Sequence, residues 1–262
     1  MEKRKLTFLK FIVSELIKRK FFSLDELYNF FLKKGYDFNK DELRNYLFRL
    51  KKKNEIYEFL EGYFTFEFNK VFEPKESSFF NTVCHKIKKQ YPELDFVIWE
   101  TGWIIEFLNM VSFKNVIIIE VEKYAVNSMF EFLKIKFPNK VFLNPDKNII
   151  LNYANDFNEY IVVKSKISKS PVQKYKNFLI PKLEKILVDL FNDDELHYYY
   201  RGNELENVYS GILREYNINY STLLNYAKRR GKLKEFNKFL NSNLEKNKIS
   251  NDIRKVIFER MD

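Results

Sequence analysis

The strongest concentration of reactive side chains is acidic. Asp95 precedes an apolar run that ends Ile119-Glu120-Val121-Glu122-Lys123. A metal-dependent nuclease uses two such acids to hold Mg²⁺ and a nearby lysine to stabilise developing charge. On a strand, alternate side chains share a face. Glu120 and Glu122 therefore point together and Lys123 points away. That spacing favours acidic residues leaving a strand end over a metal centre. Two histidines, His85 and His197, and a single cysteine, Cys84, give no zinc-ligand spacing and no disulfide framework. Cys84 lies in an amphipathic stretch and reads as a small buried side chain. No phosphate-cradling glycine loop and no nucleophile elbow occur. The run Tyr198-Tyr199-Tyr200-Arg201 suits base stacking, but equally suits core packing with a rim cation. No catalysis, cofactor or metal is expected.

A second group of residues suits DNA recognition. Lys40, Asp41, Arg44, Asn45, Phe48, Lys51 and Lys52 share the outward side of a helix whose Leu43, Leu47 and Leu50 face inward. Arg44 can fork to guanine and Asn45 can pair with adenine. Lys51, Lys52 and Lys53 suit phosphates, which position a protein without reading sequence. Tyr57 and Tyr63 flank a turn and can lie along the backbone. The bland alternative is a solvated basic helix used for protein contacts.

The elements that must position this helix follow from periodicity and caps. Leu6 to Arg19 has helical spacing. Ser23 with Glu26, and Asn39 with Glu42, form capping boxes. The second helix should bury Leu24, Leu27, Phe30 and Phe31 and stop at Gly35, and the third should run to about Lys53. Residues 56–60 and 63–66, joined by Glu61-Gly62, read as a hairpin. Three helices and a hairpin within the first 72 residues are the order of a winged helix-turn-helix.

Beyond the polar break Glu73 to Ser78, the pattern alternates. Helices are expected over 79–91, 103–111 and 125–137. Strands are expected over 95–101, 115–121, 141–143, 148–151 and 160–163. Lys164 to Ser170 reads as a loop, and everything after Pro171 as helix: from Pro181, over 204–216 and over 221–240. The fold class is thus mixed α+β. It comprises a winged helix-turn-helix (1–72), a central α/β sandwich with a small mixed sheet leading into a helical segment (79–240), and a helical tail (241–262).

The charge balance is +10, from 46 Lys and Arg against 36 Asp and Glu, which favours polyanion partners or reflects a lysine-rich proteome. The 28 Phe and 17 Tyr suggest a genome of low G+C content, so single aromatics carry little functional weight. Lys228, Arg229, Arg230, Lys232 and Lys234 cluster at a helix end, where cations also complement the dipole. They are a candidate second DNA-contacting surface, or a face for an acidic partner. Lys10, Ser14 and Glu15 interrupt the apolar N-terminus, and no run of about 18 uncharged apolar residues occurs. The expected location is the cytoplasm, with no membrane contact.

Three segments, LRNYLFRLKKKNEIYEFLEGYFTF, VIIIEVEKYAVNSMFEFL and PKLEKILVDLFND with the later STLLNYAKRRGKLKEF, resemble the AbiEi-type antitoxins of type IV toxin–antitoxin (abortive infection) systems. The resemblance implies a repressor of its own operon that binds duplex DNA through the winged domain. It also implies a C-terminal domain that counteracts a nucleotidyltransferase-like toxin. The transferase signature itself, Gly-Ser followed by paired aspartates, is absent, as expected for the antitoxin partner. The rival readings are a metal-dependent nuclease guided by a winged domain, and a plain transcriptional regulator outside any toxin system.

Overall fold

The computed structural model describes residues 20–259 except 37, 68, 110–113, 155 and 194–195. The helix expected over Leu6 to Arg19, and the end of the one expected over 103–111, lie outside the described residues. Both capping boxes form: Ser23 Oγ accepts from the Glu26 amide at 3.1 Å, and Asn39 Oδ1 from the Glu42 amide at 2.8 Å. They start α1 (Leu24–Lys33) and α2 (Lys40–Lys52). Gly35, at φ +75°, turns the chain between them in a conformation that strains a side-chain-bearing residue.

β1 (Phe22–Ser23), β3 (Tyr63–Thr65) and β2 (Tyr57–Leu60) form an antiparallel sheet with β3 in the centre. Phe22, Leu27, Phe31, Leu43, Leu47, Leu50, Ile56 and Phe64 make a small core of their own. Leu24 and Phe30 are half-buried rather than core, because they flank the stripe that Leu27 and Phe31 define. Phe59 and Leu60 on β2 belong instead to the core of the larger body, so the leading module is anchored through its wing.

The body is built on a six-stranded mixed sheet, in the order β6-β7-β5-β4-β9-β8. Its strands are β4 (Val97–Glu100), β5 (Asn115–Val121), β6 (Val141–Leu143), β7 (Glu159–Ser165), β8 (Val172–Tyr175) and β9 (Phe178–Pro181). The middle strands are buried on both faces, as their unbroken apolar runs require. Register assigns the faces. Val97 pairs with Glu120 and Trp99 with Ile118, so these four share one side; Glu100 and Ile117 share the other.

The Glu100 side meets α3 (Ser78–Gln90). There the Ser77 cap donates through its amide (2.7 Å) and hydroxyl (2.6 Å) to the Glu100 carboxylate. Asn115 and Trp103 donate to the same group at 2.6 and 3.2 Å. Next to this side lies α4 (Val126–Lys136), with Phe79 packed edge-on against Phe137 just beyond its end. The Glu120 side is covered by α5 (Leu183–Asn192), buried almost all round, and the bundle behind it. That bundle is α6 (Asn203–Glu215), α7 (Tyr220–Arg229), α8 (Leu233–Lys246) and α9 (Asn251–Glu259).

Several sequence expectations are corrected. Residues 148–151 are not a strand. Asp146 caps the amide of Ile149, starting the turn Lys147–Ile149, which widens into Ile150–Ala154. The stretch after Pro171 is not wholly helical: β8 and β9 form a hairpin and add two strands to the sheet. Pro181 ends β9 instead of opening a helix, and α5 starts after Lys182. The single helix expected over 221–240 is two, broken at Gly231, whose φ is +82°. The boundary at 240 falls inside α8, whose Leu240 and Leu244 are buried. The break at Glu73 to Ser78 is tethered on both sides: Lys70 N donates to Glu215 O at 2.9 Å, and Ser77 to Glu100.

Gly211 in α6 abuts the turn Thr101–Phe107 so closely that a Cβ would lie 2.1 Å from Phe107 Cδ1. Gly→Ala in a helix ordinarily gains about 1 kcal/mol. Here overpacking, at about 1–3 kcal/mol, outweighs that gain. Gly211→Ala is expected to lower the urea midpoint, and a raised midpoint would show that Phe107 yields freely.

Candidate nucleic-acid interface

Helix α2 presents the side chains its periodicity promised. Leu43, Leu47 and Leu50 are at most 5% exposed, while Arg44, Asn45, Phe48, Lys51 and Lys52 face solvent. Phe48, a large apolar side chain, is 53% exposed, with Lys52 Nζ 4.9 Å from its ring. Lys40 pairs with Asp25 at 2.8 Å, Arg44 with Asp41 at 2.9 Å, and Lys51 with Glu58 of the wing. The first two are surface pairs worth about 0–1 kcal/mol each, readily exchanged for a phosphate or a base edge.

Between α2 and the wing runs a groove of about 670 Å³. Arg44, Asn45, Phe48 and Lys51 line one wall, Glu58, Glu61, Gly62 and Tyr63 the other, and Asp25 its end. Gly62, at φ +76°, closes the wing's turn. Tyr63 lies in the groove but packs its ring against Phe21 and Phe59, 6.2 and 6.4 Å away. Tyr57 does not join it. It faces the body, where burial, and next the nearby Glu184 carboxylate, raise its hydroxyl pKa far above the usual value. Tyr57 pairs with Thr65, and Phe59, at the bulge between Glu58 and Leu60, packs edge-on against Tyr220 of the body.

The basic cluster after α7 divides. Lys228 and Arg229 are exposed, and Arg229 donates to Ser168 Oγ at 3.1 Å. Arg230 is not a free surface cation: it pairs with Asp193 and, at 3.5 Å, with Asp189. Lys232 is half-buried and donates to the Asn192 carbonyl at 3.4 Å. Tyr200 is core, 4% exposed, and Tyr198 stacks on Tyr199 at 3.8 Å, so packing accounts for most of the tyrosine run.

Sequence reasoning missed the largest electrostatic feature. Lys185, fully buried on α5, donates to Glu120 at 2.6 Å and to Asp189 one turn on. Tyr226 donates to Asp189 at 2.9 Å, Arg230 bridges Asp189 to Asp193, and Lys164 donates to Asp193 at 2.5 Å. Three cations and three carboxylates alternate through the Glu120 side of the sheet. Burial opposes the Lys185 charge, yet Asp189 and then Glu120 hold its pKa above the ordinary lysine value. Burial likewise opposes ionised Asp193, but Lys164 and Arg230 hold its carboxyl well below the usual range. The signal was present in the sequence: α5 carries Glu184, Lys185 and Asp189 in a helix without a polar face.

The acids weighed for metal chemistry are dispersed in role. Glu120 is engaged by Lys185, Glu122 pairs with Lys166 at 3.4 Å, and Asp95 is exposed ahead of β4. Among the described residues, no group of three or more His, Cys, Asp or Glu is placed to hold a metal ion. Among them too, no helix is long and apolar enough to cross a membrane.

Fold and site together define a mixed α/β protein that carries a winged helical module on a sheet-and-bundle body. Residues 42–246 match a family of unknown function (DUF6577), and the chain belongs to that family. The match runs from the first turn of α2 to the end of α8, taking α2, the hairpin and the body as one unit. No curated protein matches the chain.

Proposed function

We propose that this protein is a DNA-binding transcriptional regulator acting in the cytoplasm, with α2 reading the major groove of its operator. The observation that carries this is the division of α2: three leucines locked into the module's core, with Arg44, Asn45, Phe48 and Lys52 left to solvent. Arg44 and Asn45 are the base-reading pair, Phe48 supplies an apolar contact, and Lys52 meets phosphate. Lys51 contributes less, since Glu58 already holds it.

The second half of the proposal is that the regulator is also an antitoxin, counteracting a nucleotidyltransferase-like toxin. It rests on the likeness of α2 with the wing, of β5 with α4, and of α5 and α7 to the AbiEi-type antitoxins. Rescue of growth when the chain is coexpressed with the neighbouring gene tests this half. Failure to rescue leaves a plain regulator.

The DNA half is tested by gel-shift titration against the duplex upstream of its own gene. Arg44→Ala is expected to weaken specific binding by about 1–3 kcal/mol and to relax sequence preference at one position. Lys52→Ala is expected to weaken all duplexes alike and to flatten the salt slope by about 1. Unchanged affinity and preference for Arg44→Ala would mean that α2 does not read DNA.

A further inference from the structure

The groove beside α2 is poorly charged for a duplex. Its lining has two cations, Arg44 and Lys51, against three carboxylates, Asp25, Glu58 and Glu61. That groove therefore offers little net positive charge to a phosphate backbone.

We propose that the body supplies it: a basic groove lined by Lys169, Lys182, Lys228 and Arg229 holds the backbone of the same duplex that α2 reads. The claim rests on the regulator reading above and extends it to a second contact. This groove encloses about 830 Å³, and its lining contains four cations and no carboxylate. All four side chains are exposed, and Lys169, Lys182 and Lys228 form no ion pair among the described residues. Ser170 Oγ, also in the lining, is buried without a hydrogen-bond partner among the described residues.

Helix capping does not account for the cluster. Lys228 and Arg229 suit the C-terminal end of α7. Lys182, however, stands at the N-cap of α5, where a helix dipole disfavours cations, and Lys169 lies in a loop.

The geometry favours DNA over an acidic protein because the depressions run wall to wall. The basic groove shares Lys182 and Thr222 with the cleft between wing and body. That cleft shares Lys51 and Glu58 with the groove beside α2. The path is held rigid: Asn219 donates to Glu58 O at 2.8 Å, and the Glu61 amide donates to Ser221 Oγ at 2.8 Å.

The test uses the full chain with all four cations changed to alanine: Lys169→Ala, Lys182→Ala, Lys228→Ala and Arg229→Ala. Fluorescence anisotropy follows binding of a 40-bp random-sequence duplex against salt. On the 40-bp duplex the log–log salt slope is expected to fall by about 3.6, at about 0.9 for each of four lost phosphate contacts. The melting temperature should not move, since all four side chains are exposed. An unchanged 40-bp slope overturns the proposal. Tighter wild-type binding to polyglutamate or single-stranded RNA than to the 40-bp duplex overturns it as well. Arg44→Ala, titrated alongside on the duplex upstream of the protein's own gene, separates the two readings. If it alone alters binding there, the groove is wrong and the regulator stands; if only the groove variant does, the reading helix is wrong.

Discussion

Lys185→Met is expected to cost about 3–5 kcal/mol of folding stability and, for a chain of this size, to lower Tm by roughly 10 °C. The variant keeps the side chain's length and most of its packing, so little of the loss comes from a cavity. It comes from Glu120 and Asp189, two buried carboxylates left without their shared cation. Tyr226 and Arg230 still reach Asp189, but nothing in the described structure replaces Lys185 at Glu120, whose second oxygen already lacks a partner. Changing all three together, to Met at 185, Leu at 189 and Gln at 120, should recover much of the loss, because removing both signs also removes the desolvation cost. Urea unfolding measures both. A single-variant loss below about 1 kcal/mol would mean that solvent reaches the triad. The folded pKa of Lys185 is raised, so its contribution is complete below the unfolded lysine value and fades only as pH climbs beyond it.

The second large effect is acid sensitivity at His197. Burial pushes this imidazole down to about 4, against the opposing pull of Asp193; Lys164, Asp189 and Lys185 are the other charged groups it feels. Its ring lies 5.8 Å from Trp99 and 6.0 Å from Tyr200. In the unfolded chain it takes a proton near pH 6.5, whereas folded it stays neutral until about 4. Stability is therefore full above pH 6.5 and is lost as pH falls towards 4, by roughly 3 kcal/mol in all. His197→Phe keeps an aromatic ring against Trp99 and cannot be protonated. Its stability should no longer carry this loss across that window, in urea melts run every half unit of pH. A wild-type slope that survives the substitution would assign the transition to another group. Asp193 titrates in a lower range: with its folded pKa depressed, its contribution holds above the ordinary aspartate value and is lost as pH falls below it.

What could be read from the sequence was whatever local pattern decides. Both capping boxes, the leucine stripe of α2 and the limits of β5 follow from spacing and side-chain type alone. The β8–β9 hairpin did not, because FLIP is too short to show a period and Pro181 reads as readily as a helix opener. It pairs along its length with β8 just before it, and its place in the sheet comes from Val97, more than 80 residues earlier, a partner no window could see. Tyr57 turns to the body for a related reason: strand spacing shows neither the bulge after Glu58 nor that this part of β2 meets α7. The reading face of α2 was legible. The counter-charges of Asp25 and Glu58 were not, since each comes from a different element.

The pairing of Glu120 with a lysine 65 residues downstream has a consequence for synthesis. β4 and β5 can zip together as soon as they leave the ribosome, but the strand that results carries an ionised group on a side destined for the interior. Lys164, opposite Glu120 on β7, is the first cation to come near it, but in the folded protein Lys164 turns to Asp193 and Glu120 takes its proton donor from α5. β9, immediately ahead of α5, arrives in the same stretch of chain. The last strand to join the sheet's centre and the helix that brings the lasting counter-ion are thus neighbours in the chain, and a chain stopped short of both would lack the cover of that face.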